Sequence, residues 1–312
     1  MQSQPEHSVT KIVVIGAGAV GSTTAYTLFL RARASELVLI DINHEKVRGD
    51  VLDMNHGLPF TSGVKITVGS YADCAGADIV LITAGAAQRP GESRQDLLER
   101  NVNIFKEIVA NVVQYSQDCI LLIATNPVDV LSYFAFTVSG FPKNRVIGSG
   151  TLLDSARFRY LIGHHLHVDP RSVHAHIIGE HGDSELPVWS RTNVAGVPVN
   201  LDATMRQALF QDTRHAAYEI IAAKGATYYA IALALDRICA AILNDEASVM
   251  TVSTLVEGYC GINDVFLGLP CIVGRQGIRE IVDLQLAPKE VHQLQESAAL
   301  LKARIQSVSD PE

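Results

Sequence analysis

Residues 11–21 read KIVVIGAGAVG, and this stretch decides the fold. Apart from the lysine, its first five residues are apolar and β-branched, which is typical of a parallel strand buried on both faces. Gly16, Gly18 and Gly21 follow in G-x-G-x-x-G spacing. Such a glycine run permits a tight turn, lets the backbone approach a pyrophosphate and lets the following helix pack against the strand. With Val20 in the first helical turn, the stretch predicts a dinucleotide site at a helix amino terminus.

The next apolar strand ends in an acidic residue, Asp41. A carboxylate at this position can accept hydrogen bonds from the ribose hydroxyls and repels a 2′-phosphate. The sequence therefore predicts NAD rather than NADP as the cofactor, with Lys46 and Arg48 as nearby cations that weaken the discrimination.

Apolar runs of the same kind alternate with helical patterns along the first half of the chain. The predicted strands are 37–41, 79–83 and 120–125, and the predicted helices are 20–33 and 102–114. Strands that alternate with helices predict a doubly wound parallel sheet of the Rossmann type. We place this NAD-binding domain at residues 1–149.

The second half has a different pattern, and we assign residues 150–312 to a substrate-binding α+β domain. We predict helices at 154–166, at 204–243 with an interruption near Gly225, and at 288–302. A strand is predicted at 173–178, and the β-branched, glycine-rich residues 250–273 predict antiparallel strands. The fold class is therefore α/β, a doubly wound parallel sheet followed by an α+β catalytic domain, with the cleft between the halves.

Composition and charge argue against several classes of function. The 312 residues carry a formal net charge of −8 without a lysine- or arginine-rich run, which argues against nucleic acid and anionic membrane as partners. The amino terminus lacks the apolar segment of a signal peptide, and no apolar run is long enough to span a bilayer. The five cysteines are scattered and form no CxxC pair, so we expect reduced thiols, no metal site and a cytoplasmic location.

Four further segments carry polar residues that a scaffold of strands and helices does not need. They read QRPGESR at 88–94, NPVD at 126–129, DSAR at 154–157 and IGEHGD at 178–183. With the glycine motif they follow the order found in the lactate/malate dehydrogenase family, which the chain resembles from Lys11 to its last helix. The resemblance is closest to lactate-forming members of the bacterial, allosterically regulated type. It implies an NAD-dependent oxidoreductase that interconverts a 2-oxo acid and an L-2-hydroxy acid.

The resemblance implies a role for each polar segment, and the chemistry of the side chains suits these roles. His181 matches the family's acid/base, which moves the hydroxyl proton, and Asp154 matches the carboxylate that orients this histidine. Arg157, on the same helix face as Asp154, matches the arginine whose planar fork binds the substrate carboxylate. Arg94 matches a loop arginine that polarises the reacting carbonyl when the loop closes. A helix N-cap remains the plain structural interpretation of Asp154.

The remaining contacts are also implied by the resemblance. Asn126 is expected to bond the substrate oxygen, while also forming an Asn-Pro turn, and Thr227 is expected near the substrate carboxylate. The cofactor contacts expected beyond the glycine motif and Asp41 are Lys46, Tyr71, Gly85, Ala86, Ala124, Thr125, Asn126 and Ser149.

Gln88 bears on the choice of substrate. Malate-oxidising members of the family carry an arginine at the matching position, where it meets a second carboxylate. A neutral Gln88 suits the methyl group of pyruvate, because burying a carboxylate without a countercharge costs on the order of several kcal/mol. Three alternatives stay open: malate as substrate, if Arg89 takes the place of Gln88; a bulkier 2-hydroxy acid; and a non-catalytic NAD-binding protein.

Arg159 and His174 bear on regulation. They match positions that, in bacterial members of the family, bind fructose 1,6-bisphosphate across a subunit interface. Arginine and protonatable histidine are good phosphate ligands, and a twofold axis would bring two copies of each to one bisphosphate. The resemblance thus implies a homo-oligomer, most simply a tetramer, that this effector activates.

The assignment of Gln88 is tested by Gln88→Arg. The new cation pairs with the second carboxylate of oxaloacetate and faces the methyl group of pyruvate without a partner, so we expect kcat/KM to shift from pyruvate towards oxaloacetate. Steady-state rates with both substrates measure the ratio. A ratio equal to that of the unmodified chain shows that this position does not contact the substrate.

Overall fold

The computed structural model describes residues 9–61, 63–86, 91 and 93–309, without the side chain of residue 94. The helices are α1 (Ala19–Leu30), α2 (His44–His56), α3 (Arg94–Tyr115), α4 (Val128–Ser139), α5 (Leu152–Leu166), α6 (Ala203–Lys224), α7 (Tyr229–Leu243) and α8 (Pro288–Ser309). Within these ranges, no helix is both long enough and apolar enough to cross a membrane.

The strands begin with the six that build the first half of the molecule. These are β1 (Lys11–Ile15), β2 (Glu36–Ile40), β3 (Lys65–Val68), β4 (Ile79–Ile82), β5 (Ile120–Ile123) and β6 (Val146–Gly148). Five short strands follow: β7 (Val173–His174), β8 (Ile177–Ile178), β9 (Leu186–Pro187), β10 (Asn193–Val194) and β11 (Val197–Pro198). The last three are β12 (Ser248–Glu257), β13 (Asn263–Gly274) and β14 (Gly277–Ile281).

A nine-stranded sheet forms the centre of the molecule, in the order β14-β13-β12-β6-β5-β4-β1-β2-β3. The pairs from β3 to β6 are all parallel, so the predicted doubly wound sheet is confirmed. The strand order reverses between β1 and β4, and ligands of such sheets bind in the crevice at the carboxyl ends of these strands. β1, β4 and β5 are almost entirely buried, because helices cover both faces of the sheet.

The antiparallel strands of the second half extend this same sheet, which the sequence did not predict. β12 pairs antiparallel with β6 through Ser253 and Gly148, and β13 and β14 follow as a meander. The junction needs a glycine, because a Cβ on Gly148 would lie 2.7 Å from the Cβ of Ser253. The two halves are therefore joined by backbone hydrogen bonding as well as by packing.

Several element boundaries differ from the predicted ones for local reasons. The helix predicted at 102–114 begins at Arg94, because Ser93 and Asp96 form a reciprocal capping box. The strand predicted at 173–178 is divided between two small sheets, since β7 pairs with β10 and β8 with β9. The predicted interruption near Gly225 is confirmed: this residue ends α6 in a left-handed conformation.

One buried ion pair joins α7 to the segment that follows α1. Asp236, whose side chain is 1% exposed, accepts from Arg33 Nε at 2.6 Å and from Arg31 Nη1 at 3.0 Å. The pair stabilises the packing of α1, the helix that follows the glycine motif, against α7.

Asp236→Ala leaves the guanidinium of Arg33 without its carboxylate. We expect the free energy of unfolding to fall by about 2 kcal/mol, less than for a fully buried pair because both arginines can regain water. Denaturant unfolding measures the change. The control is Glu257→Ala, which breaks an exposed pair with Lys143 and should change the free energy by less than about 0.5 kcal/mol. Equal losses in the two variants would contradict this account.

Candidate active site

The glycine motif forms a close turn between β1 and α1. Gly16 has a φ of +103°, and a Cβ on Gly21 would lie 1.8 Å from the carbonyl oxygen of Gly16. A Cβ on Gly18 would meet nothing within 4 Å, and this residue is the N-cap of α1. Val20, in the first turn, packs against the core. The turn therefore brings bare backbone to a helix amino terminus and leaves open space beside it, as a pyrophosphate requires.

Asp41 is half-buried at the carboxyl end of β2. Its carboxylate accepts from the backbone N–H of Ala17, inside the glycine motif, at 2.5 Å and from that of Asn43 at 2.8 Å. The carboxylate is thus held beside the glycine turn, where a ribose would follow the pyrophosphate. Lys46 is paired with Asp50 at 2.6 Å, which reduces its availability to a phosphate.

The other predicted cofactor residues follow the carboxyl ends of the central strands, except Tyr71, which is half-buried in the turn after β3. Gly85 and Ala86 follow β4, Ala124 to Asn126 follow β5, and Ser149 follows β6. A Cβ on Gly85 would lie 2.5 Å from Thr125 Cγ2, so these two chains approach closely. The sequence analysis missed Asn101, whose Oδ1 accepts from the backbone N–H of Ala86 at 2.7 Å and connects α3 to this edge.

His181 and Asp154 form a direct hydrogen-bonded pair. The Nδ1 of His181 lies 2.5 Å from Asp154 Oδ2, and the other carboxylate oxygen accepts from Arg157 Nη1 at 2.9 Å. The side chain of Asp154 is 4% exposed, whereas that of His181 is 26% exposed. Asp154 lies in the first turn of α5, whose N-cap is Thr151, so the N-cap interpretation of Asp154 is wrong. The arrangement leaves Nε2 of His181 as the ring atom that can exchange a proton.

Electrostatics favour the imidazolium form of this pair. The negative charge of Asp154 raises the pKa of His181 to about 9, against the burial of the ring, which lowers it. Burial also raises the pKa of Asp154, but the positive charges of His181 and Arg157 outweigh it and bring the pKa below its usual value. A proton on His181 is therefore stabilised at neutral pH, and Asp154 remains a carboxylate.

Asp129 holds the backbone of His181 in place and was not singled out by the sequence analysis. Its Oδ2 accepts from the backbone N–H of His181 at 2.7 Å, and its Oδ1 accepts from Ser253 Oγ at 2.5 Å. Burial raises the pKa of Asp129 to about 6, although these two hydrogen bonds lower it. Asp129 belongs to the NPVD segment, so its position in a motif was the only signal that could have identified it.

A cavity of about 570 Å³ lies between the two halves. Asn126, Asp154, Arg157 and His181 all line it, so the structure brings these four predicted residues together. Its remaining walls come from α3, α6, α8 and the loop that carries His181, and include Asn101, Glu180, Glu185, Arg214 and Arg304. Glu180 accepts from both Arg304 and Ser184, which connects α8 to the loop that carries His181.

Three predicted residues are not placed in this cavity. Thr227 lies between α6 and α7 and is absent from the described lining. Gln88 lies outside the described residues, as does the side chain of Arg94, although the backbone of residue 94 begins α3 at the edge of the cavity.

One group in the described part of the chain has the composition of a metal site. Donor atoms of Asp154, His181 and Glu185 lie within 4.8 Å of one another. Asp154 already accepts from His181 and from Arg157, and the fixed cation of Arg157 opposes a second cation at this place. The chemistry of the group therefore favours proton transfer.

A glycine turn for a pyrophosphate, an acidic residue beside it and a histidine–aspartate pair in the adjoining cavity define an NAD-dependent oxidoreductase. Two family models match the chain: the NAD-binding domain of lactate/malate dehydrogenase over residues 10–148 and the α/β C-terminal domain over residues 151–311. The chain belongs to the lactate/malate dehydrogenase family, as the sequence motifs predicted.

Relatives and solved structures agree with this membership. The chain is 52% identical to an L-lactate dehydrogenase of Acetivibrio thermocellus, with 96% of this chain and 98% of the relative covered. It is 51% identical to an L-lactate dehydrogenase of Priestia megaterium, with 97% and 98% covered. The ligand-bound crystal structure of the minor L-lactate dehydrogenase from Enterococcus mundtii superposes with a TM-score of 0.94 at 43% identity, covering 96% of this chain and 98% of that one.

Asp154→Asn tests the electrostatic origin of the imidazolium. Removing the negative charge leaves burial as the dominant influence, so we expect the pKa of His181 to fall from about 9 to below the usual histidine value of about 6.5. NMR titration of the His181 ring in the protein without substrate measures the pKa. A pKa that stays near 9 would show that Asp154 does not stabilise the charged ring.

Proposed function

We propose that this chain catalyses the reversible NADH-dependent reduction of pyruvate to L-lactate. The observation that carries the proposal is the joint contact of His181 and Arg157 with the buried carboxylate of Asp154 inside the cavity. It brings a proton donor and a carboxylate-binding fork to one wall. The names of the relatives support lactate and pyruvate as the substrate pair.

The roles of the side chains follow from their chemistry. Arg157 binds the carboxylate of the 2-oxo acid, and protonated His181 donates its Nε2 proton to the carbonyl oxygen. A nicotinamide cofactor held at the glycine motif would supply the hydride for the carbonyl carbon. Asp154 keeps the Nδ1–H of the ring as a donor and so fixes its orientation before and after proton transfer. Lactate oxidation runs through the same groups in reverse.

The remaining contacts complete the proposed substrate site. Asn126 bonds the reacting oxygen and Arg94 polarises the carbonyl, while Gln88 faces the methyl group. Thr227 belongs to the carboxylate end in this proposal. For the cofactor, the glycine motif with Val20 and Asp41 would hold the pyrophosphate and ribose, and the residues following β3 to β6 would hold the rest.

The organisation of the chain is also part of the proposal. We infer that the NAD-binding domain spans residues 1–149 and the substrate domain residues 150–312, with the shared sheet holding them together. The five cysteines are free and four of them are buried, which supports a reducing, cytoplasmic compartment. Exposed apolar side chains on the packed helices α1 and α7, namely Tyr26, Leu30 and Leu233, support a homo-oligomer, which we propose to be a tetramer.

His181→Ala tests the proposed reaction. We expect kcat for pyruvate reduction to fall by roughly 100- to 10,000-fold because the proton donor is lost, with NADH binding nearly unchanged. NADH oxidation is followed with pyruvate, oxaloacetate and a branched 2-oxo acid, and NADH binding is followed by fluorescence. Faster turnover of oxaloacetate or the branched acid by the unmodified chain would overturn the substrate assignment. A variant that keeps more than about a tenth of the rate would remove His181 from the mechanism.

We propose further that fructose 1,6-bisphosphate activates the enzyme through Arg159 and His174. Arg159 donates from Nε to the carbonyl of Ala175 at 2.9 Å, and His174 is exposed on β7. Burial, with Arg159 and His174 as nearby positive charges, lowers the pKa of His176 to about 4. The positive charges of Arg159 and His174 thus act on the same half-buried ring, and an anion bound there would relieve their mutual repulsion. Coupling through α5, which carries both Arg159 and Asp154, would link this site to catalysis.

The double variant Arg159→Gln, His174→Gln tests this regulation. We expect fructose 1,6-bisphosphate to raise the rate of the unmodified chain at subsaturating pyruvate and to leave the double variant unchanged. Steady-state rates with and without the effector, together with the mass of the assembly in solution, measure the response. An identical response in both proteins would exclude this pair as the effector site.

A further inference from the structure

Glu185 is a carboxyl group of the cavity that the proposed mechanism does not use. It lies in the loop between β8 and β9 and is 8% exposed. One of its carboxylate oxygens lies within 4.8 Å of donor atoms of both His181 and Asp154. The residue therefore faces the reacting groups from the loop that carries His181.

The carboxyl group of Glu185 differs from its neighbours in having no hydrogen-bond or ion-pair partner among the described residues. The other carboxylates that face the cavity or the histidine loop all have partners: Asp154 with His181 and Arg157, Asp129 with Ser253 and the backbone of His181, Asp183 with Arg214, and Glu180 with Arg304. A buried carboxylate without a partner is costly, and a proton removes that cost.

Among the described residues, the charges around Glu185 are balanced without it. In and around the cavity and the histidine loop, the cations are protonated His181, Arg157, Arg214 and Arg304, and the anions are Asp154, Asp129, Asp183 and Glu180. Ionisation of Glu185 would give this group of described residues a net negative charge. The cavity must receive the anion of a 2-oxo acid, which such a charge repels.

We propose that Glu185 is a positioning residue that must carry a proton when the anionic substrate binds, so that its ionisation closes the cavity to the 2-oxo acid. The inference rests on the proposed function, since it needs an anionic substrate at Arg157. In this proposal, the loop between β8 and β9 contains two groups, His181 and Glu185, that must be protonated for reduction. One donates its proton to the substrate, and the other keeps the cavity free of excess negative charge.

The electrostatics of the free protein agree with this role. Burial, followed by the negative charge of Asp154, raises the pKa of Glu185 to about 8, although His181, Arg214 and Arg157 lower it. The group is therefore mostly protonated at neutral pH. Bound substrate anion would raise the pKa of Glu185 further, because an additional negative charge favours the neutral carboxyl.

The experiment is the pH dependence of kcat/KM for pyruvate between about pH 6 and pH 10, in the unmodified chain and in Glu185→Gln. Above the pKa of His181, the unmodified enzyme should lose about a hundredfold per pH unit because two protons are lost. Glu185→Gln keeps the size of the side chain but removes its titrating carboxyl group. In this variant, kcat/KM should therefore fall by only about tenfold per pH unit. The additional loss in the unmodified enzyme should appear in KM, because ionised Glu185 acts on substrate binding.

A binding measurement and a control variant separate this role from a structural one. Oxamate is a non-reducible analogue of pyruvate. Its affinity for the enzyme–NADH complex should depend on two protons in the unmodified chain and on one proton in Glu185→Gln. Glu219→Gln removes an exposed carboxylate on α6, a helix that lines the cavity, without changing the balanced group, and should keep the decline of two protons. If Glu185→Gln does not fold, Glu185→Ser tests the same loss of a titrating group.

The outcomes distinguish this inference from the proposed function. Pyruvate reduction with the same single-proton decline in the unmodified chain and in Glu185→Gln overturns the role of Glu185 and leaves the function intact. A single-proton decline in Glu219→Gln as well would assign the titration to another group and would also overturn the role of Glu185. An unmodified chain that reduces no 2-oxo acid at any pH overturns the proposed function itself.

Discussion

The buried carboxylate of Asp154 is the group on which the geometry of the site depends. Each of its oxygens has a different partner, His181 on one side and Arg157 on the other. A carboxylate at 4% exposure is stable only when such partners compensate for its lost hydration. The same interaction therefore keeps Asp154 charged, orients the imidazole and holds the guanidinium beside it. The imidazole of His181 and the guanidinium of Arg157 are thereby held beside one residue of α5.

The continuous sheet gives this arrangement its second support. Asp129 lies in the first turn of α4, in the first half of the chain, and Ser253 lies on β12, in the second. Both meet at the backbone of His181, where Ser253 donates to Asp129 and Asp129 accepts from the His181 N–H. The antiparallel pairing of β12 with β6 brings these elements together. A hydrogen-bonded connection of this kind resists relative movement of the halves, so the cofactor edge and the histidine loop keep a constant separation.

Predictions from the sequence agree best with the structure where the interacting residues lie in one short stretch of chain. The glycine turn, the Asp154–Arg157 pair and the glycine interruption at Gly225 are all local: their residues lie within one or two helical turns of each other. Backbone conformation alone then decides which side chains are neighbours. Residues without such local context escaped prediction. Asn101 and Arg304 have hydrogen-bond partners that are distant in sequence, and Glu185 lies near Asp154, which is also distant in sequence. A lone polar residue in a helix or loop carries no sign of such neighbours.

The sequence by itself determined the doubly wound parallel sheet, the glycine turn and the residue types of the histidine–aspartate pair. These depend on apolar periodicity, on glycine's lack of a Cβ and on the pKa range of imidazole, which are properties of short segments. The tertiary structure alone decided that β12 to β14 extend the parallel sheet and that Asp129 and Glu185 join His181 around one cavity. The physical reason is that strand pairing across a domain junction and the burial of a carboxyl group depend on the packing of distant segments. Such packing places charges at close range in a low dielectric, where their protonation depends on all of their neighbours together.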